Sequence, residues 1–244
     1  QMEIAKQVDW VYDFALPPLV LHALEFGRSA PLRAWLEQRP NNAITVLDTH
    51  DGIGIIDIGA DATDRTHNPG LVQPEELDEL VERMHRNSQN QSRQATGSAA
   101  SNLDLYQVNC TFFDAMGRNE AAYLVARAIQ FFVPGVPQVY YVGLLAGEND
   151  MDLLAHTKVG RDINRHYYSR EEVLDAIQKP VVARLLDLIR LRNEHAAFNG
   201  VFRHAASADH VLSLWWTFGA DYARLDVDLM AKTGVLVYSS AVGE

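Results

Sequence analysis

Apolar and polar positions fall into short blocks along the chain, and the period of those blocks changes near residue 198. Residues 2–8 already read as helix. Val8-Asp-Trp-Val-Tyr-Asp-Phe14 is a β-branched and aromatic run that predicts a short strand, stopped by Pro17 and Pro18. Residues 19–26 then predict a helix ended by Gly27, and residues 31–38 a second one with Pro31 in its first turn. The run Ala43-Ile-Thr-Val-Leu47 lacks polar alternation, which is how a strand buried on both faces of a parallel sheet reads. Strand, helix and strand in this order form the repeat of a parallel sheet with right-handed crossovers.

Residues 59–100 are polar, carry a helix at 75–87, and form an insertion of the kind that is functional or mobile. Residues 119–132 predict a strongly apolar helix. Pro134-Gly-Val-Pro137 breaks it before a predicted aromatic strand at 138–142. A second polar excursion, about 143–179, is followed by helices at 171–178 and 180–195, the latter with Val182, Leu185, Leu186 and Ile189 on one face. Beyond residue 198, the segments 211–216, 222–227 and 235–238 predict short strands of a small antiparallel β domain. The pattern therefore divides the α/β chain into 1–197, with insertions at about 59–100 and 143–179, and a β domain at 198–244. No repeat of 20 to 50 residues is present.

Composition narrows the partners. The 244 residues, 48% of them apolar, suffice for a real core, and 21 basic against 32 acidic residues give a formal net charge of −11. Such a chain repels polyphosphate, so nucleic acid is not an expected partner. Cys110 is the sole cysteine, which excludes an intrachain disulfide and makes a reducing cytoplasm the default expectation. No apolar run reaches the roughly 20 residues of a membrane helix, and no secretory signal pattern opens the chain, so no membrane association is expected. Gln1 runs directly into the first helical pattern, the look of a chain cut from something longer.

Chemistry concentrates at Asp48-Thr-His-Asp51, where the buried run ends. Active sites of parallel α/β sheets lie at the carboxyl ends of strands, so His50 and Asp51 are expected to face a ligand. A carboxylate beside an imidazole can bind sugar hydroxyls, hold a metal or steady a cationic transition state. The plainer reading is that Asp48 and Asp51 cap a turn before Gly52 and Gly54. A Gly-rich phosphate loop with its lysine, a His-Glu-x-x-His helix and a Cys pair are all absent from the sequence. Asn102-Leu-Asp-Leu-Tyr-Gln-Val-Asn109 offers directed bonds to a polyhydroxylated ligand or, more simply, a short edge strand. Arg161 and Asp162 read as a structural ion pair, unless Arg161 orients a catalytic carboxylate through two parallel hydrogen bonds.

Val11-Tyr-Asp-Phe-Ala-Leu-Pro-Pro18, Thr45-Val-Leu-Asp-Thr-His-Asp-Gly-Ile-Gly54, Ala99-Ala-Ser-Asn-Leu-Asp-Leu-Tyr-Gln-Val-Asn109, Pro134-Gly-Val-Pro-Gln-Val-Tyr-Tyr-Val-Gly143 and Gly160-Arg-Asp-Ile-Asn-Arg-His-Tyr-Tyr168 together resemble the bacterial sucrose phosphorylases of the α-amylase superfamily. The match runs in order through nearly the whole chain and weakens in the last 45 or so residues. The resemblance implies the C-terminal half of a (β/α)8 barrel plus a C-terminal β domain. It implies a retaining, two-carboxylate transfer of glucosyl from sucrose to phosphate, giving α-glucose 1-phosphate and fructose without metal or organic cofactor. Carried over residue by residue, Asp51 matches the carboxylate that stabilises the transition state. His50 and Arg161 match the glucosyl subsite. Leu103, Asp104, Tyr106 and Gln107 match a mobile loop that serves fructose and phosphate by turns.

The departure from the family is that its nucleophile and acid/base would precede Val8, where this sequence has no counterpart. Arg224-Leu-Asp226 mimics the pattern around the nucleophile but sits in the β region, and reads as an edge-strand coincidence. The resemblance leaves related phosphorylases of glucosylglycerol, glucosylglycerate or sucrose 6'-phosphate as alternatives, with a non-catalytic or truncated sugar-binding half-barrel as the other. The lack of basic residues at 101–109 favours plain sucrose. The chain as given is expected to be inactive, and the family allows a homodimer.

Overall fold

The computed structural model describes residues 2–60, 69–97 and 107–239. A first short helix, α1 (Met2–Ala5), leads to strand β1 (Val11–Asp13), which is less than half the predicted run because residues 8 and 9 form a bend and Phe14 a turn. Helix α2 (Leu16–Phe26) begins three residues before the predicted start. Pro17 and Pro18 occupy its first turn, where a missing N–H costs nothing, so the prolines that stop the strand also open the helix. Helix α3 (Ala30–Gln38) follows, then β2 (Ala43–Thr45), which lies parallel to β1 with Asp13 opposite Thr45.

Strand β3 (Ile53–Gly54) leaves the loop after β2 and leads into a 3-10 turn at Ile55–Ile58. Helices α4 (Pro74–Asn87) and α5 (Gln91–Ala95) fill the described part of the first insertion. Strand β4 (Gln107–Val108) pairs antiparallel with β3, so the edge-strand reading of this segment holds for its last residues. Helix α6 (Phe112–Ala115) precedes the central helix α7 (Glu120–Phe132), whose N-cap Asn119 accepts from the Ala122 amide at 3.0 Å.

The expected aromatic strand at 138–142 is not one. The strand is β5 (Val136–Pro137), parallel to β2, and Tyr141–Leu144 is helix α8. The Pro-Gly-Val-Pro stretch that reads as a breaker is thus the strand itself. Gly135, at φ 125°, passes so near the Ala43 carbonyl that a side chain there would clash, which brings the chain into register early. Pro137 has no N–H to give, and the Thr45 carbonyl instead accepts from the Gln138 amide at 2.9 Å and from Gln130 Nε2 at 2.9 Å. The resulting three-stranded parallel sheet has the order β1-β2-β5. β2 is its centre, as its unbroken apolar run requires.

Helices α9 (Met151–Thr157), α10 (Arg170–Ala176) and α11 (Pro180–Glu194) lead to a four-stranded antiparallel sheet of β6 (Val201–Ala205), β7 (Val211–Phe218), β8 (Asp221–Asp228) and β9 (Thr233–Tyr238), in sequential order. Alternation places Leu212, Leu214 and Trp216 on the inner face of β7, with Ala223, Leu225 and Val227 on that of β8. This face packs on α7, and Trp216 Nε1 donates to the Phe132 carbonyl at 2.7 Å. A single apolar cluster runs from α2 through α7 and α11 into this sheet. Among the described residues no helix is long and apolar enough to cross a membrane.

Candidate active site

The loop leaving β2 is anchored from below by a buried charge. Asp48, 3% exposed at its side chain, accepts from Arg127 Nη2 at 2.6 Å, and Arg127 is 0% exposed. Arg127 also donates to Tyr123 Oη, at 2.7 and 3.1 Å, and to Gln130 Oε1 at 3.0 Å. The Tyr123 hydroxyl donates in turn to the Gly143 carbonyl. Burial opposes the charge of Arg127, but Asp48 and Tyr123 outweigh it and raise the guanidinium pKa, so the guanidinium stays charged. Burial likewise raises the Tyr123 phenol. Gly143 must be glycine here, because a Cβ would run into Asp48 Oδ2 and Arg127 Nη2.

Above this anchor, residues 49–51 turn outward. The Asp51 amide donates to Thr49 Oγ1 at 3.1 Å, so the turn is held by Thr49 and not, as the plainer reading of this motif expects, by Asp48 or Asp51. The Asp51 side chain, 35% exposed, stands 3.5 Å from His50 Nε2, and its Oδ1 lies 2.9 Å from Arg161 Nη1 and 3.9 Å from Arg165 Nη2. His50 and Arg161 are 65% and 49% exposed. The three sequence-predicted residues His50, Asp51 and Arg161 therefore meet, although 110 positions separate Asp51 from Arg161. The Arg161 contact is single-point and off the hydrogen-bond axis, not the expected two-bond fork. Nor does Arg161 pair with Asp162, whose carboxylate faces Arg165 Nη1 at 3.4 Å. The outcome is a carboxylate held among three cationic or potentially cationic groups at the carboxyl end of a parallel strand, suited to oppose positive charge developing on a ligand.

No protein-family model matches the chain. Over 227 residues it is 61% identical to the sucrose phosphorylase of Agrobacterium vitis, a match covering 93% of this chain and 46% of the relative. Identity to the sucrose phosphorylase of Bifidobacterium adolescentis is 54% over 235 residues, covering 96% of this chain and 46% of the relative. Nearly the whole chain resembles part of a sucrose phosphorylase.

It is also 43% identical over 240 residues to the glucosylglycerol phosphorylase of Marinobacter adhaerens, covering 98% of this chain and 48% of the relative. The crystal structure of sucrose 6F-phosphate phosphorylase from Thermoanaerobacter thermosaccharolyticum superposes with a TM-score of 0.83 at 38% identity, covering 100% of this chain and 48% of that one. The chain spans about half the length of the curated relatives it matches.

Of the loop that sequence likeness to sucrose phosphorylases assigns to the acceptor, Leu103, Asp104 and Tyr106 lie outside the described residues. Gln107 lies within them, on β4, with its Cγ 3.0 Å from where a Cβ on Gly52 would stand. Arg224 and Asp226 bind each other through two hydrogen bonds of 2.7 and 2.9 Å on β8. β8 is an inner strand, not an edge, and the pair takes no part in the site. Among the described residues no group of three or more His, Cys, Asp or Glu is placed to hold a metal. Burial raises the Cys110 thiol far above its usual range and makes it unreactive.

Sequence reasoning missed Arg127, Asn164 and Arg165. Arg127 is the lone charge within the buried turns of α7, and an arginine in an apolar helix is itself a signal of a buried partner. Asn164 and Arg165 lie in the Gly160-Arg-Asp-Ile-Asn-Arg-His166 motif, of which only Arg161 and Asp162 were weighed as chemistry.

Proposed function

We propose that this chain contributes the transition-state-stabilising and glucosyl-binding part of a sucrose phosphorylase, within the portion of a (β/α)8 barrel formed by residues 1–197, with 198–244 as a β domain. The observation that carries this reading is Asp51 at the end of β2, flanked by His50 and Arg161, in a chain 61% identical to a sucrose phosphorylase. In such a reaction the glucosyl C1–O bond to fructose breaks, a carboxylate holds the glucosyl group covalently, and phosphate then forms the new C1–O bond. Asp51 opposes the oxocarbenium-like charge of both transition states. His50 and Arg161 hold glucosyl hydroxyls, while Leu103, Asp104, Tyr106 and Gln107 meet fructose and phosphate in turn. No residue of this chain is given the nucleophile or acid/base role, and neither metal nor organic cofactor is invoked. The setting is a reducing cytoplasm. Plain sucrose is preferred over related glucosides because identity is 61% and 54% to sucrose phosphorylases against 43% to the glucosylglycerol enzyme.

The test is phosphate-dependent release of glucose 1-phosphate from sucrose. It is run on this chain and on a hybrid joining it to the part of the Agrobacterium vitis enzyme that it does not match. Activity in the hybrid that falls about 10²- to 10³-fold with Asp51→Asn supports the reading. An inactive hybrid, or one using glucosylglycerol in preference to sucrose, overturns it.

A further inference from the structure

Two consecutive side chains after Arg161, those of Asn164 and Arg165, are arranged around the candidate turn in a way that the functional reading does not use. Asn164, 3% exposed, donates from Nδ2 to the Thr49 carbonyl at 2.8 Å and faces the Asp51 carbonyl at 3.5 Å. Arg165 donates from Nε to the His50 carbonyl at 3.0 Å. Thus each of three successive carbonyls, from Thr49 to Asp51, is met by one of these two residues. The backbone around them is gripped from the start of α8. Tyr140 Oη donates to the Asn164 carbonyl at 3.0 Å and Tyr141 Oη to the His166 carbonyl at 2.9 Å. The Asp150 amide donates to the Ile163 carbonyl at 2.8 Å, and His166 Nδ1 meets Asp150 Oδ2 at 2.6 Å.

A turn of this kind has little of its own to hold it. Its internal restraint is the single Asp51 amide to Thr49 Oγ1 bond. Its carbonyls point away from the sheet ladder, which ends at Thr45. We infer that Asn164 and Arg165 are positioning residues that set the backbone of residues 49–51, and through it the direction of the Asp51 carboxylate, as a strap slung between the loop after β2 and the start of α8. This rests on the functional reading for its catalytic consequence but not for its geometry.

Two measurements keep the two apart. Amide hydrogen exchange on this chain, by NMR or mass spectrometry, is compared for Asn164→Ser, Arg165→Lys and the exposed α11 control Arg190→Ala. The strap predicts that residues 49–51 exchange at least about tenfold faster in the first two variants, with α7 unchanged. In the active hybrid, kcat for phosphorolysis falls about 10²-fold in Asn164→Ser while KM for sucrose stays within about threefold, because a 1 Å misplacement acts on the transition state. Arg165→Met lowers kcat in the same way, and Arg165→Lys, which keeps one donor, recovers part of that loss. Unchanged exchange at 49–51, or exchange that rises equally over the whole chain, overturns the strap whatever the hybrid does. Altered exchange with unaltered kcat overturns its catalytic role alone, and an inactive parent hybrid counts against the phosphorylase reading instead.

Discussion

Replacing Arg127 by Met tests whether the buried ion pair carries the loop after β2. The substitution keeps the apolar stem of the side chain and deletes four hydrogen bonds: one to Asp48 at 2.6 Å, two to Tyr123 Oη and one to Gln130 Oε1. It leaves Asp48 with its Oδ1 already unpartnered and its side chain 3% exposed, so an uncompensated charge stays buried. Breaking a buried pair from one side costs about 3–5 kcal/mol. Unfolding temperature falls about 2–4 °C per kcal/mol in chains of this length, so thermal melting followed by circular dichroism is expected to shift down by roughly 6–20 °C. The double replacement Asp48→Leu with Arg127→Met removes both charges and is expected to melt above Arg127→Met alone, since an apolar pair of similar volume is often neutral or stabilising. A melting temperature of Arg127→Met within about 2 °C of the parent, or a double variant less stable than the single one, would refute the reasoning.

Gly143→Ala should act on the same anchor from the other side, because its methyl meets Asp48 and Arg127 where neither can yield; a loss of about 1–3 kcal/mol by urea titration is expected. Trp216→Phe removes the donor to the buried Phe132 carbonyl that joins β7 to α7, for about 1–3 kcal/mol by the same titration, and an unchanged midpoint would mean that the sheet is held by apolar burial alone. The His166 contacts should show a pH window. Partial burial opposes the His166 charge, but Asp150 and Glu172 outweigh it and raise the pKa above 6.5, so this contribution is complete below 6.5 and lost as pH rises through the higher folded value. Hydrogen bonds from Ser169 and His166 lower Glu172 below 4.5, so its contribution is present above 4.5 and lost as pH falls through the lower folded value. His166→Gln is therefore expected to lower the melting temperature most between pH 4.5 and 6.5 and least near pH 9; an equal loss at all pH values would count against an ionised contact.

Where local pattern and burial agree, the sequence sufficed. The unbroken apolar run before Asp48 could only be an inner strand, and its abrupt polar end marked the place where His50 and Asp51 stand. The helices α4, α7, α10 and α11 were legible because each is opened by a proline or a polar capping residue, as with the Ser169–Glu172 capping box of α10, and α4, α7 and α11 also carry an apolar stripe. The strands β7 and β8 were legible by alternation and β9 by its apolar run Val235-Leu-Val-Tyr238, whereas β6 carries neither signal clearly.

Tertiary structure alone decided three things. It made Val136–Pro137 the strand and Tyr141–Leu144 a helix, since the Thr45 carbonyl, 93 positions back, selects the register by accepting from Gln138, and local propensity carries no record of that partner. It placed Arg127 under Asp48, 79 residues away, because a charge in an apolar helix announces a partner without saying which. It also gave Arg161 to Asp51 and Arg165 to Asp162, an exchange of the partners that adjacency in sequence suggests. Residue type and period are local quantities and specify which faces must be buried; the choice among distant partners depends on how those faces pack together, and so belongs to the folded chain.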